Sequence, residues 1–518
     1  SSRDVKNVMN VRMWRCGALR TIFTSPASPH LHIIPMRRTF LANLALVLVL
    51  NLLVKPFYIL GIDAEVQERV GVEVYGGYAA LLSLSFLLNI LLDLGITNYN
   101  TRHIAQNEEA LQQRLGGVLG VRLLLVLLYA IVTLVAGLVL GYGAAQLAML
   151  GVLVFNQALA ATILYLRSNL AGAQRYAQDS LLSVLDRILL VAMCSWLLWS
   201  GSISCYAFRI EWFVWAQTIA YGIATLVALV MVSRLGASVR LKWQPELMKR
   251  IVRESFPFAL LILLMTIYYR VDTLMLERML PDGAAQAGTY AQGFRFFEAL
   301  NMLGYLFAGL LLPMFSRMLK ERADVVTLVG VGWRLMLSGC LAVAVGGAWW
   351  GNEIMGLRYA EASDGAVMSF SLLMCCFTAV GTTYIFGTLL TARGDLRLLN
   401  WMAFGGMVLN VLLNLYLIPR HGAPGAAMAS LITQVLTAAV QVFMVVRVFN
   451  MKPRAGQLLK GAAYLLSISG IAWLLDRLAL GTVPMLALYA GCVCILAFAT
   501  GLVRLPQLHS LLRPVERP

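Results

Sequence analysis

Charge is what this chain has least of. Only 13% of its 518 residues are charged and 60% are apolar, whereas an ordinary soluble domain carries about 25% charged residues. That deficit excludes a soluble or a disordered protein. Eight cysteines, at positions 16, 194, 205, 340, 375, 376, 492 and 494, show neither C-x-x-C nor disulfide-framework spacing and read as small buried hydrophobes. The five histidines, at 30, 32, 103, 421 and 509, fall outside the apolar runs or at their edges, which argues against a metal site. Also missing are G-x-x-x-x-G-K-[ST], G-x-S-x-G and H-E-x-x-H, which removes P-loop ATP hydrolysis, nucleophile-elbow chemistry and zinc proteolysis. Transport driven by a gradient or by the membrane potential is the class left standing.

Long apolar runs, by contrast, are everywhere, and mean hydropathy is +0.77. A helix needs about 20 mostly apolar residues to cross the hydrocarbon layer. About fourteen such runs can be placed, near 40–60, 76–96, 115–141, 145–166, 181–200, 208–232, 255–278, 288–315, 326–350, 366–391, 399–418, 423–447, 458–475 and 482–503. The expected fold is therefore all-α and polytopic. The net charge of +16 does not point to nucleic acid, because Lys and Arg concentrate on alternate connections. One side holds Arg37, Arg38, Arg102, Arg167, Arg175, the cluster Arg234, Arg240, Lys242, Lys249, Arg250 and Arg253, then Arg317, Lys320, Arg393, Arg397 and Arg447. The other side has few, such as Lys55, Arg69, Arg209, Arg278, Arg358, Arg420 and Arg477. The asymmetry predicts an even number of spans with both termini in the cytoplasm.

A basic leader over 1–35, ending before Met36, is expected to lie outside the fold. A first six-helix bundle is expected over 36–235, a basic cytoplasmic linker over 236–254, a second bundle over 255–450, and two additional helices with a short tail over 451–518. The halves echo each other: GGYA at 76–79 and GTYA at 288–291, GAQR at 172–175 and GDLR at 394–397. Each match links a span to the sixth span after it, which predicts a parallel repeat enclosing a central cavity.

Charges inside spans are costly and must find a partner or a wet cavity. The seventh span holds Arg270 and Asp272, whose spacing does not let them face each other along a helix, so each should have another partner. The eighth holds Arg295 and Glu298 at a spacing that allows pairing. A hairpin turning near Asp282 would level the two pairs, as a structural network, an anion site or both. In the first half, Asp93 lies near the cytoplasmic end of its span, as helix-end structure or as an ion-coupling group. Asp186 and Arg187, being adjacent, should point to different faces and read as a structural pair or as cavity groups. Arg122, Arg209 and Glu211 are expected to snorkel to the interface. Lys55, before Pro56, should reach a cavity mouth or headgroups. Trp196, Trp199, Trp212, Trp215, Trp349 and Trp350 read as an interfacial belt.

DLGITNYNTRHIA at 93–105, YYRVDTLML at 268–276, GTYAQGFRFFE at 288–298 and above all NVLLNLYLIPRHGAPGAAMAS at 410–430 resemble the polysaccharide-biosynthesis (O-antigen-type) flippases of the multidrug/oligosaccharidyl-lipid/polysaccharide exporter (MOP) superfamily. The resemblance covers about 40–510. It implies two six-helix bundles in a V with two extra helices, and a transporter rather than an enzyme. It also implies a substrate of undecaprenyl-diphosphate-linked oligosaccharide, moved between leaflets of the bacterial inner membrane by alternating access. The family's Arg-x-Asp maps onto Arg270 and Asp272 and its DLG onto Asp93 and Gly95. A diphosphate needs cationic donors, for which Arg270, Arg295, Arg187 and Lys55 are the candidates, Arg270 first. Asp272, Glu298, Asp93 and Asp186 are candidates for the charge network or for coupling to H⁺ or Na⁺, with no cofactor. The expected partners are the lipid-linked oligosaccharide and membrane lipids, with the chain monomeric or associated with polysaccharide-assembly enzymes. The rival functions are a cation-coupled multidrug exporter, a lipid II exporter and a membrane polysaccharide polymerase or ligase.

Overall fold

The computed structural model describes residues 53–94, 96–97, 109–173, 175–200, 208–234, 245–360, 362–451, 455–478 and 480–503. The expectations for the leader, for most of the first span, for Arg102 and Gly95, and for linker residues 236–244 fall outside these residues. Every regular element among them is a helix. The chain enters through a helical stretch at 53–57, a π-helical turn Tyr58–Asp63 and α1 (Ala64–Val70). Then come α2 (Val72–Leu87), a short α3 (Ile90–Asp93), α4 (Glu109–Val139), α5 (Ala144–Gly172), α6 (Tyr176–Trp199) and α7 (Ile210–Ser233). The second half has α8 (Pro245–Met279), α9 (Gly283–Lys320), α10 (Val325–Trp349), α11 (Gly351–Gly356), α12 (Asp364–Arg393), α13 (Leu396–Val448), α14 (Ala455–Asp476) and α15 (Thr482–Ala499).

Eleven of these helical segments are long and apolar enough to cross a membrane. The 53-residue α13 is two of the expected spans. At Gly422 the backbone takes φ 58°, ψ −134°, a conformation that a residue with a Cβ resists. Asn414 and Ser430, eight residues to either side, both bond Asp272, and Gly406 lies against Thr437. Those pairings define an antiparallel hairpin.

The helices form two lobes, the first built from α2 to α7 and the second from α8 to α13. In each, one end carries the Lys/Arg-rich connections; the opposite end, with the α4–α5 and α8–α9 turns, is called the tip end. At the tip end the lobes share a core, in which Leu274, Ala291, Ala299 and Met302 join Tyr75, Tyr78 and Phe213. At the Lys/Arg-rich end each lobe keeps its own cluster, around Tyr165 and Ala228 in one and Phe315 and Leu389 in the other. α14 and α15 dock on α10 of the second lobe, where Tyr464 and Tyr489 donate hydrogen bonds to the carbonyls of Ser338 and Ala342, each at 3.1 Å. Trp350 is buried in this contact and bonds Asp476. It therefore does not belong to the interfacial belt, whereas Trp196, Trp199, Trp215 and Trp349 are exposed.

The repeat motif has a structural use. Gly76 of α2 and Gly288 of α9 meet at the seam between the lobes, where a Cβ on Gly76 would lie 1.8 Å from the Ala284 carbonyl oxygen and one on Gly288 1.9 Å from that of Val72. Only a glycine pair lets these backbones touch. Polar ties seal the tip end around the seam. Gln67 Nε2 donates to Gly288 O at 2.8 Å, Arg358 Nε to Leu60 O at 2.7 Å, and Ala360 N to Glu68 Oε1 at 3.1 Å. Arg358 Nη2 also lies 3.2 Å from Glu65 Oε2.

Candidate functional site

Between the lobes lies a cavity of about 170 Å³. The first helix bends into it because the π-helical turn after Pro56 rotates Tyr58, Ile59 and Asp63 inward, all three buried; such turns recur at functional sites. Sequence reading placed the first span's end near residue 60 and so missed Asp63. The helix in fact continues to Val70, and its Glu65–Arg69 pair at 3.0 Å is the i,i+4 signal that could have extended it.

Along one wall runs a chain of alternating charges. Arg270 Nη2 lies 2.8 Å from Glu298 Oε1, Arg295 Nη1 lies 2.7 Å from Glu298 Oε2, and Arg295 Nε lies 3.0 Å from Asp63 Oδ2. Tyr75 OH donates to Asp63 at 2.7 Å and accepts from Arg295. Arg270 is sandwiched between the rings of Phe86 and Phe294, at 4.7 and 5.4 Å. The two arginines of the second lobe are thus committed to carboxylates, and the link to Asp63 and Tyr75 crosses to the first lobe.

The other wall is less neutralised. The Arg187 guanidinium lies over Tyr58 at 4.7 Å, donates to Tyr221 OH at 3.1 Å and reaches Asp186 Oδ2 only at 3.7 Å. Asp186 and Arg187 therefore do not diverge as their adjacency predicted, because the long arginine folds back over its neighbour. Lys55, half-buried, lines the same space, and no carboxylate pairs with it among the described residues. Altogether four cations, Lys55, Arg187, Arg270 and Arg295, face two carboxylates, Asp63 and Glu298. Asp186 lies at the edge of this set.

Asp272 is elsewhere. It is fully buried within the second lobe, where it accepts from Asn414 Nδ2 at 2.7 Å, from Tyr290 OH at 3.1 Å and from the Ser430 hydroxyl. Asn414 is bonded in turn to Asn410 at 3.1 Å. No cationic side chain pairs with Asp272 among the described residues. The 410–430 motif is therefore the cage of Asp272, folded around it by the Gly422 hairpin. The nearby Tyr268 and Tyr269 rings stack at 5.0 Å. Asp93, at the Lys/Arg-rich end of the first lobe, binds Thr97 and Arg122 Nη1, the latter at 3.1 Å. Arg122 does not snorkel: it is 3% exposed, donates to Ala161 O at 2.7 Å and lies over Tyr165. Its partner Asp93 holds it in the lobe. Arg209 is exposed and lies 3.4 Å from the partly buried Glu211.

The profile of the polysaccharide biosynthesis protein family matches residues 41–319, more than half of the chain. The chain belongs to this family. No curated protein sequence matches it. Among solved structures, the lipid II flippase MurJ in an inward closed conformation superposes with a TM-score of 0.66 at 13% identity, covering 92% of this chain and 100% of that one. A mutant of the Vibrio cholerae MATE transporter VcmN gives 0.55 at 17% identity, covering 79% and 97%. A MOP superfamily transporter from Pyrococcus furiosus gives 0.53 at 12%, covering 79% and 96%. The likeness shows the fold: this polysaccharide biosynthesis family member has the two-lobed architecture of MOP transporters, and it is a multi-pass membrane protein.

Proposed function

We propose that this family member is a flippase. It carries undecaprenyl-diphosphate-linked oligosaccharide across the bacterial inner membrane by alternating access, for surface polysaccharide biosynthesis. The observation that carries this reading is the cavity's charge: the four cations Lys55, Arg187, Arg270 and Arg295 outnumber the carboxylates Asp63 and Glu298, even with Asp186 counted at the edge, and leave a net positive site suited to a diphosphate. Arg270 and Arg295 already hold Glu298 and Asp63, whereas Arg187 has Asp186 only at 3.7 Å and Lys55 pairs with no carboxylate among the described residues, so these two are the least neutralised. They make the first contact, and Arg270 and Arg295 exchange carboxylate for phosphate oxygens as the head group settles.

The positive-inside asymmetry supports placing the Lys/Arg-rich end and both termini in the cytoplasm. The lobes then part toward the cytoplasm and close on the far side. An apolar groove of about 620 Å³, between Pro56 and Leu60 of the first helix, Leu303 of α9 and Val493 of α15, keeps the lipid tail in hydrocarbon while only the head group crosses. Asp272, a buried carboxylate caged by oxygen- and amide-bearing side chains, takes up H⁺ or Na⁺ and couples the swing to a gradient. The cavity's two carboxylates, Asp63 and Glu298, are held by Arg295 and Arg270, which favours transport over polymerase or ligase chemistry.

The test is leaflet-resolved flipping of a labelled lipid-linked oligosaccharide by the purified chain in vesicles. Arg187→Gln should lower the rate by roughly 10- to 100-fold, as expected for one charge-assisted phosphate contact. Flipping at the wild-type rate by Arg187→Gln and Lys55→Met together would remove the anion site from the mechanism.

A further inference from the structure

The cavity also has an uncharged wall that the anion site leaves unused. Gln157 of α5 and Gln217 of α7 both line it and are 8% and 5% exposed. Each amide is half engaged: Asn89 Nδ2 donates to Gln157 Oε1 at 3.3 Å, and Gln217 Nε2 donates to Tyr78 OH at 3.0 Å. The other half of each makes no hydrogen bond among the described residues. Two oriented, nine-tenths-buried amides thus keep polar capacity for whatever occupies the space between them.

We propose that Gln157 and Gln217 form a subsite for the sugar bonded directly to the diphosphate, hydrogen-bonding its hydroxyl or acetamido groups. This rests on the flippase reading above. The amides carry no charge and cannot compete with Lys55 and Arg187 for an anion, so their ligand is polar and neutral. Position agrees. Gln217 precedes Tyr221 by one turn of α7, so the two side chains leave the helix on one face, and Tyr221 OH is bonded to Arg187, which lines the same cavity as both glutamines. Size agrees too: about 170 Å³ is below the roughly 300–1,000 Å³ of sites that enclose a drug-sized ligand. The wall therefore meets the first sugar, and the distal glycan extends toward the open end. A site built to hydrogen-bond a polar group discriminates strongly against ligands that lack it, which makes these two glutamines specificity determinants.

The experiment compares dissociation constants of the full chain in nanodiscs for polyprenyl diphosphate and for its one-sugar derivatives bearing N-acetylglucosamine, glucose or galactose. Wild type should bind at least one derivative roughly 10- to 100-fold tighter than the sugar-free lipid, as two hydrogen bonds would give. In the Gln157→Met, Gln217→Met double variant that ratio should fall to near one, while affinity for the sugar-free lipid is kept. A ratio taken on one preparation is unaffected by partial misfolding, so loss of fold cannot imitate the result. A ratio near one in wild type, or an undiminished ratio in the double variant, overturns the subsite. Failure of wild type to bind any of the lipids would instead overturn the flippase reading on which it stands.

Discussion

Arg270 and Asp272 stand two residues apart and serve different neighbourhoods. The helix points one at the cavity, where Glu298 and two aromatic rings hold it, and the other into the second lobe, where three hydroxyl or amide groups cage it. That each would need its own partner was legible from the spacing. That Asn414 and Ser430 would join Tyr290 around Asp272 was not, because they lie more than 130 residues away and only the hairpin at Gly422 brings the two together. Asp272→Asn removes a buried charge while keeping side-chain shape, so thermal stability should hold or rise. In vesicles with an imposed pH or sodium gradient, the variant's flipping should no longer respond to the gradient; an intact response would take Asp272 out of the coupling. Arg122 illustrates the opposite error. Near a span end it read as a snorkelling residue, but Asp93 and Ala161 O give it a buried seat that composition cannot reveal.

At the scale of the element, the spans were legible because apolar length is a local property, and the break expected between the runs at 399–418 and 423–447 is where the Gly422 hairpin divides α13. Two helices carry predictions. At the start of α10 the Asp324 carboxylate accepts from the Val326 and Thr327 amides and from the Thr327 hydroxyl. The Thr327 hydroxyl bond, ahead of the opposing cost of desolvation, holds its pKa below the ordinary carboxylate range. Asp324→Ala should cost about 1 kcal/mol, the usual value of an N-cap. Since the folded pKa is depressed, this contribution is present at neutral pH and is lost as pH falls through the folded value. Melting of wild type and variant at pH 7 and in acid checks it: the gap between them should shrink in acid. At the seam, Gly288→Ala drives a methyl into the Val72 carbonyl. The helices must separate at a cost of about 1–3 kcal/mol. Labelling of a Met302→Cys reporter from the tip end should accelerate in that background, and an unchanged rate would show that the seam is not what closes this end.

On the scale of the whole molecule, the proposed alternating access would require the polar ties at the tip end to release together. Arg358 makes two of them, to Leu60 O and to Glu65. Arg358→Ala should shift the population toward tip-open forms by roughly tenfold, the effect of about 1.4 kcal/mol. Electron–electron distance measurements between spin labels at Ala144 and Pro281, both exposed and on different lobes, should broaden toward longer separations; a distribution identical to wild type would mean that the ties do not govern closure.

The sequence by itself determined the class of molecule, its helical spans and its family, because each of these is written in local composition, periodicity or contiguous motif. The tertiary structure decided which charges are free. Asp63 entered the site through a π-helical turn, Arg270 was committed to Glu298, and Lys55 and Arg187 were left the least neutralised cations of the cavity. The physical reason is that the electrostatic role of a charge depends on distances to groups hundreds of residues away, and those distances exist only once the two lobes have folded against each other.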